Sequence, residues 1–373
     1  MAIKPLQINS KALHLMKAVT NADYTSKTVL TNSAWEYVEL WLKRQKTEQG
    51  SRALFYWKQA YNFYNASECL SIESRPLTAY YCCLNATKAL LKMKGDTNIN
   101  FDSIGHGITS ARRKWSNSNI KDAKVIFLGS GVLFELSKYL DEEAIKKTYS
   151  VYDLFYNLAC VHRAFSITYQ CPELFVPIRD VKYIVDTDAK KGWIQFLIDE
   201  RYANGNSLRF APRQFEKVNY NNDSRYFMRK KNRFDWDIHK DKKSRLNNIS
   251  RYHGRVRKDL HYIFGDMRLW YLKKDIPSNN KIIKRTSLTL IFAIMHWLSE
   301  LTRYNPEKFD KIIVSAGKRG LQMEVETEKL IHIISGKQNW LICEFLNNAL
   351  CQFVDEISCE ITSVDIMTSG YRK

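Results

Sequence analysis

The chain has 373 residues and a formal net charge of +19, from 58 Lys and Arg against 39 Asp and Glu. Hydrophobic residues make up 45% and aromatics 13%, enough for a substantial core and against global disorder. No run of about 18 uncharged apolar residues occurs, which argues against a membrane-spanning helix, and no membrane partner is expected.

The N-terminal MAIKPLQINSKALHLMKAV lacks the apolar stretch and small-residue cleavage site of a secretory leader, so a cytoplasmic location is expected. Residues 1–30 read as a mixed arm or short helix. AWEYVELWLKRQK (34–46) has helical spacing, with Trp35, Val38 and Trp41/Leu42 on one face. SRALFYWKQAYNFYNASECL (51–70) predicts a second helix whose apolar side holds Phe55, Ala60, Phe63 and Leu70. SRPLTAYYCCLNATKALLKMKG (74–95) predicts a third. Ser74 is its expected cap, Pro76 fits its first turn, and Gly95 is expected to end it in a left-handed conformation.

The Gly105-His106-Gly107 turn is expected to lead into a short helix, and VIFLGSGVLFELSKYL (125–140) into a hairpin around its glycines. Residues 150–169 return to helical spacing. DVKYIVDTDAKKGWIQFLID (180–199) predicts two strands around an Asp-Ala-Lys-Lys-Gly turn, and LHYIFGDMRLWYLKK (260–274) a strand or hairpin partner. The polar, charged stretch between them reads as loop and helix. SLTLIFAIMHWLSELTRYNP (287–306) and KQNWLICEFLNNALCQFVDEI (337–357) are apolar helices.

Eight cysteines show no CxxC pair and no zinc-finger spacing with histidine, so reduced, mostly buried thiols are expected, with no metal and no cofactor. His162 and His296 read as core histidines. The SAGKRG turn at 315–320 lacks phosphate-loop spacing and is given no nucleotide role.

Charge is concentrated. Between Arg209 and Arg285 stand 22 Lys/Arg against 8 Asp/Glu, interleaved with twelve aromatics that include Phe215, Tyr220, Tyr226, Phe227, Phe234, Trp236 and Tyr252. Arginines fork onto phosphates and exposed rings stack on unpaired bases, so RNA or DNA is the expected partner. The contacting residues expected are Arg225, Arg229, Lys230, Lys231, Arg233, Arg251, Arg255, Arg257 and Lys258. A second set sits on the third helix. Asn85 and Lys88 share a face, Arg75 precedes them, and a short connection can fold His106 back. These four are candidates either for a structural network fastening the turn to the helix or for a pocket facing phosphate.

The third helix followed by GHGI resembles the YaaC-like bacterial family, whose pattern runs Ser-Arg-Pro-Leu, a Tyr-Tyr pair, Leu-Asn, Lys-Ala-Leu and a His-Gly turn. RALFYWKQAYNFYNA resembles the helix preceding that motif. LSELTRYNPEKF, with Arg303, Tyr304 and Pro306, resembles the family's Ser-x-Leu-x-Arg-Tyr-x-Pro segment. The Tyr-Tyr helix and His-Gly turn are also similar to the HEPN helical domains. That resemblance implies RNases or nucleotidyltransferase partners of toxin–antitoxin and phage-defence systems. Its RNase pattern, Arg followed after four to six residues by His, occurs at Arg233…His239 and Arg255…His261.

Together these readings predict a mainly α protein with a smaller β-containing insertion. The expected parts are an arm and helix (1–50), a HEPN-like helical bundle (51–172), a basic mixed α/β insertion (173–285), and a helical C-terminal part packing on the bundle (286–373). The expected function is nucleic-acid binding through the basic segment, in a subunit of a bacterial defence system with other protein subunits or a second copy of itself as partners. Two alternatives stay open: a metal-independent RNase using Arg255, His261, Arg233 and His239, and a scaffold docking an acidic protein.

Overall fold

The computed structural model describes residues 3–8, 11–12, 33–96, 99–101, 103–111, 120–220, 223–265, 269–276, 281–314 and 337–362. Its strands are β1 (Ile3–Pro5), β2 (Gln7–Ile8), β3 (Lys11–Ala12), β4 (Ile108–Ser110), β5 (Lys124–Phe127), β6 (Lys147–Ser150), β7 (Phe175–Asp186) and β8 (Lys191–Ile198). They continue with β9 (Phe215–Tyr220), β10 (Asp223–Lys230), β11 (Phe234–Asp235), β12 (Leu260–Ile263) and β13 (Leu269–Lys273). The helices are α1 (Ala34–Lys43), α2 (Glu48–Glu68), α3 (Arg75–Lys94), α4 (Val132–Tyr139), α5 (Val151–Tyr156), α6 (His162–Tyr169) and α7 (Gly205–Leu208). After them come α8 (Lys242–Val256), α9 (Ser287–Tyr304), α10 (Pro306–Val314) and α11 (Lys337–Thr362).

The chain divides into two compact units. The sheet unit comprises Met1–Asn32, Leu174–Ile282 and Thr362–Lys373; the helical unit comprises Ser33–Glu173 and Ile283–Ile361.

The sheet unit overturns the expected fold class. Eight of its strands form one sheet in the order β12-β13-β7-β8-β10-β9, with β1 added to β7 and β11 to β8, while β2 and β3 pair with each other. Every pairing in it is antiparallel. A mainly α molecule with a small β insertion, a helical bundle plus a helical C-terminal part, is therefore the wrong description. The β7–β8 hairpin follows the sequence reading, with Asp186 opposite Lys191 across the turn. The β9–β10 hairpin does not, because RYFMRKK hides its alternation. Met228 enters the core with Phe215, Phe196 and Ile194, while Arg225, Phe227 and Arg229 take the other side. Charged residues on both faces erase the apolar–polar rhythm that marks a half-buried strand.

One helix, α8, covers the core face of this sheet. Asp241 caps it by accepting from Ser244 N at 2.9 Å. Ile249, Tyr252 and Val256 enter the core beside Tyr183, Val185, Phe234 and Leu260. The Tyr252 hydroxyl accepts a hydrogen bond from Ile194 N at 3.0 Å, so this buried polar tip is satisfied by the sheet.

In the helical unit α2 packs on α1 and α3, and α3 packs on α9 and α4. Ser33 and Thr47 cap α1 and α2. The buried side of α2 is Ala53, Trp57 and Ala60, with Trp57 Nε1 donating to Trp35 O at 3.0 Å, whereas Phe55 is exposed. Ser74 makes no side-chain cap bond to α3, and Gly95 is extended (φ −87°) instead of left-handed. The segment after the His-Gly turn is strand β4, and the 125–140 segment is strand β5 followed by α4; a helix and a hairpin had been expected. Strands β4, β5 and β6 form a small antiparallel sheet. The SAGKRG turn lies outside the described residues.

Candidate functional site

The turn at 105–107 shows why glycines stand there. Gly107 has φ +81° and Gly131 φ +110°, and a Cβ on Gly131 would lie 2.3 Å from Gly107 N. Only two glycines let these backbones approach so closely. Val132 N then donates to Gly105 O and Leu133 N to His106 O, both at 3.0 Å, so the first turn of α4 holds the His106 backbone.

The side chain of His106 faces α3 and α9. Its Nδ1 is hydrogen-bonded to the Tyr80 hydroxyl, and the ring lies 5.5 Å from Tyr80 and 5.9 Å from His296, centroid to centroid. Tyr80 is fully buried, edge-on to His296 at 5.1 Å. His296 Nδ1 approaches Glu300 Oε2 to 3.7 Å without a hydrogen bond. The Glu300 carboxylate is instead taken by Ser110, from its backbone N at 3.1 Å and from its hydroxyl. Arg303 makes no ion pair among the described residues, and its buried Nε has no hydrogen-bond partner. Burial, and then the charges of Arg303 and Lys88, hold His106 below the ordinary histidine range. Burial drives His296 down to about 3.

Of the four residues expected to form a polar set, His106 is bonded to Tyr80 of α3, and Lys88 acts on it through its charge. Lys88 Nζ stands 5.4 Å from the Tyr56 ring centroid. Asn85 donates to Tyr81 O of its own helix at 2.8 Å, and Arg75 donates to Asn347 Oδ1 at 3.1 Å. It is Tyr80, not Asn85, that bonds the turn. Tyr80, Ser110, His296, Glu300 and Arg303 were missed as a set. Their signal was available: His296, Glu300 and Arg303 stand at i, i+4 and i+7 along one helical face.

The sheet unit sorts the basic residues by partner. Arg225 is forked onto Asp223, which it holds down at about 2. Arg229 bonds Glu216 at 2.8 Å, Arg233 reaches the same carboxylate at 3.4 Å, and both guanidiniums lie over the Trp193 ring. Lys230 is buried against Asp259 at 2.6 Å. Arg257 and Lys258 are half-buried just beyond α8. Lys231, Arg251 and Arg255 are exposed and form no salt bridge among the described residues. The aromatic platform expected here is largely core: Phe215, Phe227, Phe234, Trp236 and Tyr252 are all buried.

Exposure on α8 is ordered. At about 100° per residue, Lys243, Ser244, Asn247, Ser250, Arg251, Gly254 and Arg255 fall in an arc of roughly 140°. All seven are exposed, and no Asp or Glu occurs from Lys242 to Lys258. Lys243, unremarked in the sequence reading, joins Arg251 and Arg255 on this face.

Neither Arg–His pair shares a helical face. Arg233 is stacked on Trp193, while His239 is exposed in the turn before α8. Arg255 is exposed on α8, while His261 is buried in β12 edge-on to Phe175. No group of three or more His, Cys, Asp or Glu able to hold a metal ion occurs among the described residues. No described helix is long and apolar enough to cross a membrane.

The sequence profile of the YaaC-like protein family matches residues 14–319, well over half of the chain. No curated protein and no solved structure matches it, and the HEPN resemblance gains nothing from these comparisons.

Proposed function

This chain belongs to the YaaC-like protein family, and from that premise we propose that it binds nucleic acid along the exposed face of α8. The observation that supports this reading is the arc of Lys243, Arg251 and Arg255, three exposed cations with no carboxylate anywhere in the helix. Cations on one face repel unless an anion offsets them. At about 1.5 Å per residue the three span about 18 Å. One nucleic-acid strand rises about 3.4 Å per nucleotide, so this reach covers about five phosphates. A single small anion would leave most of the row unmatched. The buried rings leave little to read bases, so the binding is to backbone and is tolerant of sequence.

The test is fluorescence anisotropy with labelled single- and double-stranded RNA and DNA. Wild-type protein should bind, and the Arg251→Gln/Arg255→Gln double variant should lose affinity by a similar factor on every sequence. Lys43→Gln, an exposed site on α1 of the helical unit, should bind as wild type does. Unchanged affinity in the double variant, or capture of an acidic peptide with no nucleic-acid binding, would refute the reading.

A further inference from the structure

We propose that the nucleic acid taken by α8 is duplex DNA, with the helix lying in the major groove and Gly254 facing the groove floor.

That assignment rests on α8 being the binding face, and the order of residues across the face carries it further. At about 100° per residue, Lys243 lies near one edge of the exposed arc, and Arg251 and Arg255 lie roughly 80° and 120° round from it. Gly254 and Asn247 fall between them, roughly 20° and 40° from Lys243. The middle of the face is therefore low, and the long cationic arms stand to either side. A helix seated in a groove meets a row of phosphates on each flank. Lys243 faces one row, and Arg251 and Arg255 face the other.

Gly254 is exposed, and its backbone is helical. A Cβ there would meet no described atom within 4 Å outside its own turn. The fold thus has room for a side chain at this position, and glycine weakens a helix relative to alanine. A missing side chain that the fold does not require suits close approach by something outside it.

Shape then selects among nucleic acids. A helix with its side chains is about 10–12 Å across, and the major groove of B-form DNA is about 12 Å wide. The major groove of an RNA duplex is too deep and narrow to admit it. A single strand is held by stacking its bases on exposed rings, whereas Phe215, Phe227, Phe234, Trp236 and Tyr252 are buried.

Four labelled probes test this with the full-length protein: a DNA duplex, the RNA duplex of the same sequence, the DNA single strand, and the DNA duplex carrying glucosylated 5-hydroxymethylcytosine, whose sugars fill the major groove. The plain DNA duplex should bind about tenfold or more tighter than each of the other three. Gly254→Leu should keep the wild-type thermal midpoint, since the fold has room for the side chain, and should lose about tenfold in affinity for the plain duplex. Gly254→Ala should fall between the two. A plain duplex bound no tighter than the glucosylated or the RNA duplex would overturn the groove assignment, and so would wild-type affinity in Gly254→Leu. Should either occur while Arg251→Gln/Arg255→Gln still loses binding, α8 stands as the binding face and the groove alone is wrong. Binding of no nucleic acid at all would remove both.

Discussion

Arg285 and Glu142 form a buried ion pair in the helical unit, and neither residue stood out in the sequence. Arg285 donates to Glu142 Oε2 and to Ser137 Oγ, each at 2.9 Å, and lies 4.8 Å from the Phe127 ring. The other carboxylate oxygen accepts from Thr286 N at 2.6 Å, so Glu142 does for α9 what its own N-cap side chain does not. Burial raises the Glu142 carboxyl, against the pull of Thr286 and Arg285. Removing one partner strands the other charge, at a cost of about 3–5 kcal/mol. Glu142→Gln should lower the denaturant midpoint accordingly, and an unchanged midpoint would sink this account. Two buried histidines give a second expectation. His261 and His296 are both pushed down to about 3, first by burial. Lys273 and Arg257 add to the effect at His261, and His106 and Arg303 at His296. Each folded value lies below the unfolded one of about 6.5, so the stabilisation is whole above that pH and is lost as pH falls toward 3. Urea midpoints measured at pH 7, 5 and 4 should fall steadily, and His261→Asn should flatten part of the fall.

Elements were legible where one physical signal dominated. The α3 and α9 helices were visible because long apolar runs kept helical spacing between a proline or threonine start and a glycine or asparagine end. The β7–β8 hairpin was visible because its turn residues separate two apolar strands. The β9–β10 hairpin was hidden because charged residues stand on both of its faces, Lys230 on the side of Met228 and Arg225 and Arg229 on the other, with their guanidiniums over Phe227 and Trp193. The His-Gly turn was noticed, but its partner was not. Nothing in sequence spacing says that Gly107 and Gly131 meet, because that contact is set by the pairing of β4 with β5. Gly131→Ala tests it. The new Cβ must move backbone, and φ +110° is strained for alanine. The variant should lose about 2–4 kcal/mol, and the NMR signal of the His106 ring should lose its fixed environment. Wild-type stability together with an unaltered His106 signal would show that the turn does not depend on this approach.

Taken whole, the molecule keeps its charge in one place. The sequence segments of the sheet unit hold 31 Lys and Arg against 15 Asp and Glu, and those of the helical unit 27 against 24, so +16 of the +19 belongs to the sheet unit. Ion pairs leave that net excess unchanged but decide which cations are already engaged: Arg225 and Lys230 each hold a carboxylate, and Arg229 and Arg233 share Glu216. An argument from total charge would count these residues, whereas one from geometry leaves them out. The two arguments predict different salt dependence. If the nine basic residues expected from the sequence all met phosphates, log affinity would fall against log salt with a slope of about −8 on a duplex. If Lys243, Arg251 and Arg255 alone do so, the slope is about −2.7, and raising salt from about 50 to 200 mM weakens binding roughly fortyfold. Removing Arg251 and Arg255 should then bring the slope to about −0.9, while Arg229→Gln should leave it where it was. A slope that stays steep in the double variant would place the contacts elsewhere on the sheet unit, and would mean that paired arginines exchange their carboxylates for phosphate on binding.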